Sequence, residues 1–191
     1  MKSKKMKKLE VQKKVNKTKR KRKNIFKEIF YVDNKFDFIG LIKNILIPLG
    51  GGLLVGLITR DSMRVFESLK KSILTPPAIV FPIVWSVLYF LMGIAAYRIY
   101  MNNKANKKDY NGYFYYLVQL LVNFLWSIVF FNFRLYGISF ILIIILLILI
   151  IITTIKFFKV DKIAAILMIP YILWVSFASY LTFYIWMYNE M

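Results

Sequence analysis

Five stretches of this chain run on with almost no charge, and short charged segments separate them. They extend from Ile39 to Thr59, Ala78 to Tyr100, Tyr113 to Phe133, Leu135 to Phe157 and Ile163 to Tyr188. A helix that crosses a bilayer needs about 20 mainly apolar residues, because the hydrocarbon core is about 30 Å thick and a helix rises about 1.5 Å per residue. Each stretch meets that length. Strands of a membrane barrel would alternate polar and apolar positions, which these runs do not. The pattern therefore predicts an all-α polytopic membrane protein, a bundle of five transmembrane helices. The first stretch is interrupted by Lys43 and Pro48, and a lysine so near a helix end extends its ammonium back to the interface. The fourth is nearly pure Ile and Leu from Phe140 to Ile152, so much of its surface is expected to face lipid. The loops are expected at 60–77, 101–112, Asn132 to Arg134, and 158–162.

Charge divides the chain in two. Residues 1–38 hold 15 of the 28 Lys and Arg and four acids, Glu10, Glu28, Asp33 and Asp37. This part is expected to be a basic, disordered cytoplasmic head, with residues 39–191 forming the membrane domain. Five spans put the termini on opposite faces. Of the basic residues, 23 fall on the N-terminal side and five, Arg60, Arg64, Lys70, Lys71 and Arg134, on the other. The positive-inside rule then places the head in the cytoplasm. The expected location is the cell membrane, with a mitochondrial or outer membrane left open. The head fits contact with anionic lipid headgroups. Nucleic acid is a poor fit, because the run Lys19 to Lys23 has no aromatic interleaving and no fold around it. A cleaved targeting peptide fits poorly too, since no short apolar core with a small-residue cleavage site is present.

Composition, at 59% hydrophobic and 18% aromatic, agrees with the membrane reading, and Cys and His are both absent. Disulfides, thiolate chemistry, imidazole ligation and the usual general base drop out, and no metal site is expected. No Asp or Glu lies within a predicted span, which argues against proton- or ion-coupled transport through an acidic site. What remains inside the spans is neutral. Gln119, Asn123 and Ser127 recur every four residues and share one helical face, with Trp126 beside them. Such amides equally serve to bond helices together.

Tryptophan and tyrosine ordinarily sit at the interface, as Tyr110, Tyr113, Tyr115, Tyr116, Trp186 and Tyr188 do. Trp85, Trp126 and Trp174 lie deeper. Trp85 is 7 residues from Ala78, Trp126 is 7 from Phe133, and Trp174 and Ala178 are 14 and 10 from Tyr188. These spacings converge on one layer in the outer half of the membrane, joined by Tyr89 and Tyr171. An aromatic box with an amide suits a flat apolar ligand, and it equally suits a packed core with no ligand. The loop of residues 60–77 ends in Thr75, Pro76 and Pro77 and re-enters just above this layer, where it is placed as a lid. Gly52 and Gly56 form a GxxxG spacing that allows close helix approach and offers weak support for a dimer.

The segments Leu74 to Tyr97 (LTPPAIVFPIVWSVLYFLMGIAAY), Gln119 to Phe131 (QLLVNFLWSIVFF) and Ala165 to Trp186 (AILMIPYILWVSFASYLTFYIW) resemble the TspO/MBR family of tryptophan-rich sensory proteins and mitochondrial translocator proteins. The resemblance covers about residues 40–189. It implies a five-helix bundle, commonly a homodimer, that binds porphyrins and hydrophobic ligands such as sterols beneath the first long loop. By the same resemblance Trp85 and Tyr89, Asn123, Trp126 and Ser127, and Tyr171, Trp174 and Ala178 line the pocket, with Phe66, Pro76 and Pro77 contributed by the loop. The loop departs from the family pattern, since Ser72 and Leu74 stand where a proline and a tryptophan are usual. The cholesterol motif of the animal members is absent, as no Lys or Arg follows Tyr180, Tyr184 or Tyr188.

Three functions are expected to compete. The leading one is a membrane receptor or sensor for a tetrapyrrole, protoporphyrin IX or haem, held as a ligand with no covalently bound cofactor; transport is left open. The second, an enzyme, would degrade porphyrin with light or oxygen through ring electron transfer at Trp85 or Trp174, with no acid–base residue assigned as catalytic. The third is a membrane interaction protein that recruits partners through the head.

Overall fold

The protein is described from a computed structural model, which places Glu10, Gln12, residues 27–105 and residues 110–191. Most of the basic head, and Lys107 and Lys108 in the second loop, lie outside the described residues. The chain divides into two units, residues 1–36 and 37–191. In the first, residues 27–30 are helical. Val32 and Lys35 then pair through two backbone hydrogen bonds of 3.0 and 2.9 Å around a turn in which Asp33 and Asn34 take positive φ, as short polar side chains tolerate.

The second unit carries helices α1 (Phe38–Thr59), α2 (Met63–Ser68), α3 (Val80–Lys104), α4 (Tyr110–Ile128), α5 (Tyr136–Val160) and α6 (Lys162–Asn189). Five of them are long and apolar enough to cross a membrane, so the chain is a multi-pass membrane protein. The expected spans agree with them to within a few residues. α3 runs a turn past Tyr100, to Lys104, because nothing in that turn breaks a helix. α4 continues into a π turn over Val129–Phe133 and stops at Arg134, whose left-handed φ of 58° reverses the chain. Asn132 holds this corner, donating to the Ile58 carbonyl and accepting from the Ser62 hydroxyl.

The helices pack in a closed ring in the order α1, α3, α6, α5, α4 and back to α1. α5 buries Tyr136, Ser139, Ile143, Leu146, Ile150, Thr153 and Phe157, a seam spaced alternately by three and four residues, and turns its remaining isoleucines outward. That seam is what the uniform Ile/Leu run conceals. Glycine sets the close approach of α1 and α3. A Cβ on Gly93 would lie 2.6 Å from the Cα of Ile45, and one on Gly52 would meet the ring of Tyr89. The GxxxG spacing is thus used in part within the chain: Gly52 seats Tyr89, whereas a Cβ on Gly56 would meet nothing within 4 Å.

One end of the bundle is tied by polar contacts. Asp161 caps α6 by accepting from the N–H groups of Ile163 and Ala164, and it pairs with Arg98 of α3 at 2.8 Å. Arg98 Nε donates to both carboxylate oxygens, and Asn102 donates to one of them. Burial alone would raise the Asp161 pKa; the Arg98 guanidinium and the Ala164 and Asn102 hydrogen bonds reverse this and hold it below the ordinary carboxylate value. Nearby, Asp37 caps α1 at Gly40, pairs with Lys104 at 3.0 Å and donates its own N–H to Tyr97. The Gly40 N–H, and after it Lys104, lowers the Asp37 pKa.

Candidate functional site

At the opposite end, where α1 finishes and α3 begins, the same helices separate. A cavity of about 620 Å³ lies between α1, α3, α4 and α6. Its floor is Tyr89, seated against Gly52. Its walls include Trp85 of α3, Trp126, Ser127, Phe130 and Phe131 at the end of α4, and Ala178, Leu181 and Ile185 of α6. The rings form a continuous sheet of contacts. Trp85 lies 5.5 Å from Tyr89 and 6.2 Å from Trp126, and Trp126 stacks on Phe130 at 5.5 Å. These are separations at which aromatic pairs attract beyond their buried area.

Phe66, on α2 in the first long loop, closes the cavity. It is buried and contacts Phe81, Phe131 and Phe130 at 5.6, 5.8 and 6.2 Å. The loop is pinned over the site by α6: Asn189 bonds both the N–H and the carbonyl of Lys70, and Tyr180 bonds Ser72 at 3.0 Å. Ser72, which stands where the family commonly has proline, thus anchors the loop with its hydroxyl. Leu74 and Ile73 point away and are exposed.

The sequence-derived residues fall into three groups. Phe66, Trp85, Tyr89, Trp126, Ser127 and Ala178 line the cavity. Asn123 and Tyr171 stand directly behind it in a buried relay: the Tyr89 hydroxyl donates to Asn123 Oδ1 at 2.7 Å, Asn123 Nδ2 to the Tyr171 hydroxyl at 3.0 Å, and that hydroxyl to Gln119 Oε1 at 2.9 Å. The amide stripe therefore bonds helices together and orients a wall residue, Tyr89. Trp174, Pro76 and Pro77 are not lining residues. Trp174 packs 5.9 Å from Phe81 and so stands one ring back from the cavity.

Arg60, Gly52, Gly56, Phe81, Phe130, Phe131 and Thr182 also line the cavity and escaped the sequence reading. Phe130 had a signal, one turn beyond Trp126 on the same face. Polar groups in the wall are mostly spent locally, since Thr59, Ser86 and Ser127 each donate to the carbonyl four residues back. Among the described residues no group of three or more acids could hold a metal ion.

Six lining residues are exposed: Leu53, Gly56 and Leu57 on α1, Arg60 just after it, and Pro82 and Ser86 on α3. The cavity is thus reached sideways between these two helices.

The TspO/MBR family profile matches residues 44–187. Protein CrtK of Rhodobacter capsulatus is 39% identical over 79 residues, 41% of this chain and 49% of that protein. Tryptophan-rich protein TspO of Archaeoglobus fulgidus is 34% identical over 97 residues, 50% of this chain and 62% of that protein. Tryptophan-rich sensory protein of Cereibacter sphaeroides is 36% identical over 69 residues, 36% of this chain and 41% of that protein. The chain spans about half the length of the curated relatives it matches. With the profile extending across all five long helices, the chain belongs to the TspO/MBR family.

Proposed function

We propose that this protein is a membrane receptor or sensor that binds a flat, largely apolar ligand of the tetrapyrrole class, protoporphyrin IX or haem, in the cavity under Phe66. The observation that carries this reading is the cavity itself. Its volume of about 620 Å³ falls within the roughly 300–1,000 Å³ usual for small-molecule sites, and Trp85, Tyr89 and Trp126 form one aromatic wall. A packed core would leave no such space, because protein interiors close up to near-crystalline density. The name of one relative, a tryptophan-rich sensory protein, agrees with sensing. Trp85, Tyr89, Trp126, Ser127, Ala178 and Phe66 are the proposed contacts, and Asn123 and Tyr171 position them. The same reading puts the N-terminal head in the cytoplasm, where it meets anionic lipid, and the cavity in the outer half of the membrane.

The test is a titration of protoporphyrin IX into the full chain in nanodiscs, followed by the porphyrin absorbance. Saturable micromolar binding, weakened at least tenfold (about 1.4 kcal/mol) by Trp85→Phe, is expected. Absence of saturation in folded protein would overturn the reading. Following the bound porphyrin in darkness and in light separates a receptor, which returns it unchanged, from an enzyme that consumes it.

A further inference from the structure

Among the described residues that line the cavity, Arg60 alone carries a charge. It follows Thr59 directly, at the end of α1, and among the described residues no acidic side chain pairs with it. Arg60 is exposed, as are the acids near it in sequence, Asp61 and Glu67, neither of which lines the cavity. The wall otherwise presents aromatic and aliphatic carbon, the Thr59, Ser86 and Ser127 hydroxyls bonded to their own helices, the Tyr89 hydroxyl bonded to Asn123, and the neutral Trp126 N–H. A guanidinium cannot be neutralised in a protein, and it prefers a carboxylate or phosphate, which it binds in a fork.

The axis of the cavity runs down from this cation. Tyr89, at its floor, is seated at Gly52, eight residues below Arg60 on the same helix, or about 12 Å at 1.5 Å per residue. An amphiphile lying in a lipid leaflet has the same layout, with its charged group at the headgroup level and its apolar body below. The opening between α1 and α3 faces that leaflet, and its edges at Leu53, Gly56 and Leu57 are apolar or lack a side chain.

Resting on the ligand-binding reading above, we infer that Arg60 is the residue that sets ligand charge: the cavity selects apolar molecules with a carboxylate at one edge. Such a ligand enters sideways from the leaflet between α1 and α3, its carboxylate remaining at the interface and closing onto Arg60. Its acid group never crosses the hydrocarbon, where a charge is costly. No other described lining residue carries a charge, so a neutral ligand of the same shape uses the same cavity without the selection.

Charge selection by Arg60 separates from ligand binding itself in one experiment with the full chain in phosphatidylcholine nanodiscs, which carry no anionic lipid to compete. Protoporphyrin IX, with two free carboxylates, and its dimethyl ester, of the same ring but neutral, are titrated into wild type, Arg60→Gln and Arg60→Lys. Expected are a preference of wild type for the acid, a loss of at least tenfold in acid affinity in Arg60→Gln, ester affinity within twofold of wild type, and partial recovery of acid binding in Arg60→Lys. Equal losses of acid and ester in Arg60→Gln, or no acid preference in wild type, would overturn the role of Arg60 while leaving the ligand-binding reading intact. Binding of neither porphyrin to wild type would sink both.

Discussion

The two ends of the bundle are built from the same helices and are opposites in packing. At the Asp161 end, α1 and α3 approach backbone to backbone at Gly93 and Ile45, and α3 is locked to α6 through Arg98, Asn102 and Asp161. At the other end α1 and α3 diverge above Gly52, and the space between them is the cavity. Closed packing gains dispersion contacts and gives up space, so a membrane bundle with a binding site needs one end that holds the helices while the other is kept apart. Rings serve at the open end because they stiffen a wall without filling it, whereas glycine and a satisfied ion pair serve at the closed end.

Breaking the closed end has the largest expected effect. Asp161→Ala removes the buried ion pair with Arg98 and uncaps α6, and a loss of about 3–5 kcal/mol in unfolding free energy is expected by denaturant titration in micelles. Acid should reproduce part of it. The folded-state pKa of Asp161 lies below its unfolded value near 3.8, so its contribution is complete above that pH and disappears as pH falls through the folded value. A stability profile flat across pH 2–5 would contradict the role given to this pair.

Next comes the glycine contact. Gly93→Ala drives a methyl to 2.6 Å from the Ile45 Cα, and about 1–3 kcal/mol of destabilisation is expected in the same measurement. Gly56→Phe sharpens the contrast, since its Cβ has no neighbour within 4 Å and its ring would extend from a lining position into the cavity mouth. Its unfolding free energy should stay within about 0.5 kcal/mol of wild type while porphyrin affinity falls at least tenfold. A Gly56→Phe protein that unfolds as readily as Gly93→Ala would show that the two ends do not differ as described. The smallest effect belongs to the layer between them. Tyr171→Phe removes the hydroxyl shared by Asn123 and Gln119, at a cost of about 1 kcal/mol, the size measured for hydrogen bonds between membrane helices.

Much of this protein is legible one residue at a time. The five spans follow from runs of apolar residues matched to the bilayer, and the depth of Trp85, Trp126 and Ala178 follows from counting residues at a fixed rise. Depth, though, says nothing of direction around the helix. Trp174 has the right depth and faces Phe81 rather than the cavity, and Asn123 and Gln119 sit behind the wall while Ser127 of the same stripe lies in it. Gly52 and Gly56 look equivalent as a spacing, yet one is filled by Tyr89 and the other opens into the site.

The sequence by itself determined that the chain is a membrane bundle, where its helices begin and end, and the layer in which its aromatic rings gather, because each depends on local composition and a constant helical rise. Only the tertiary structure decided the ring order of the helices, the pairing of Arg98 with Asp161 across 63 positions, and the placing of Arg60 at the mouth of an apolar cavity. Those depend on which face of each helix meets which neighbour, and that is settled by packing among all five helices together.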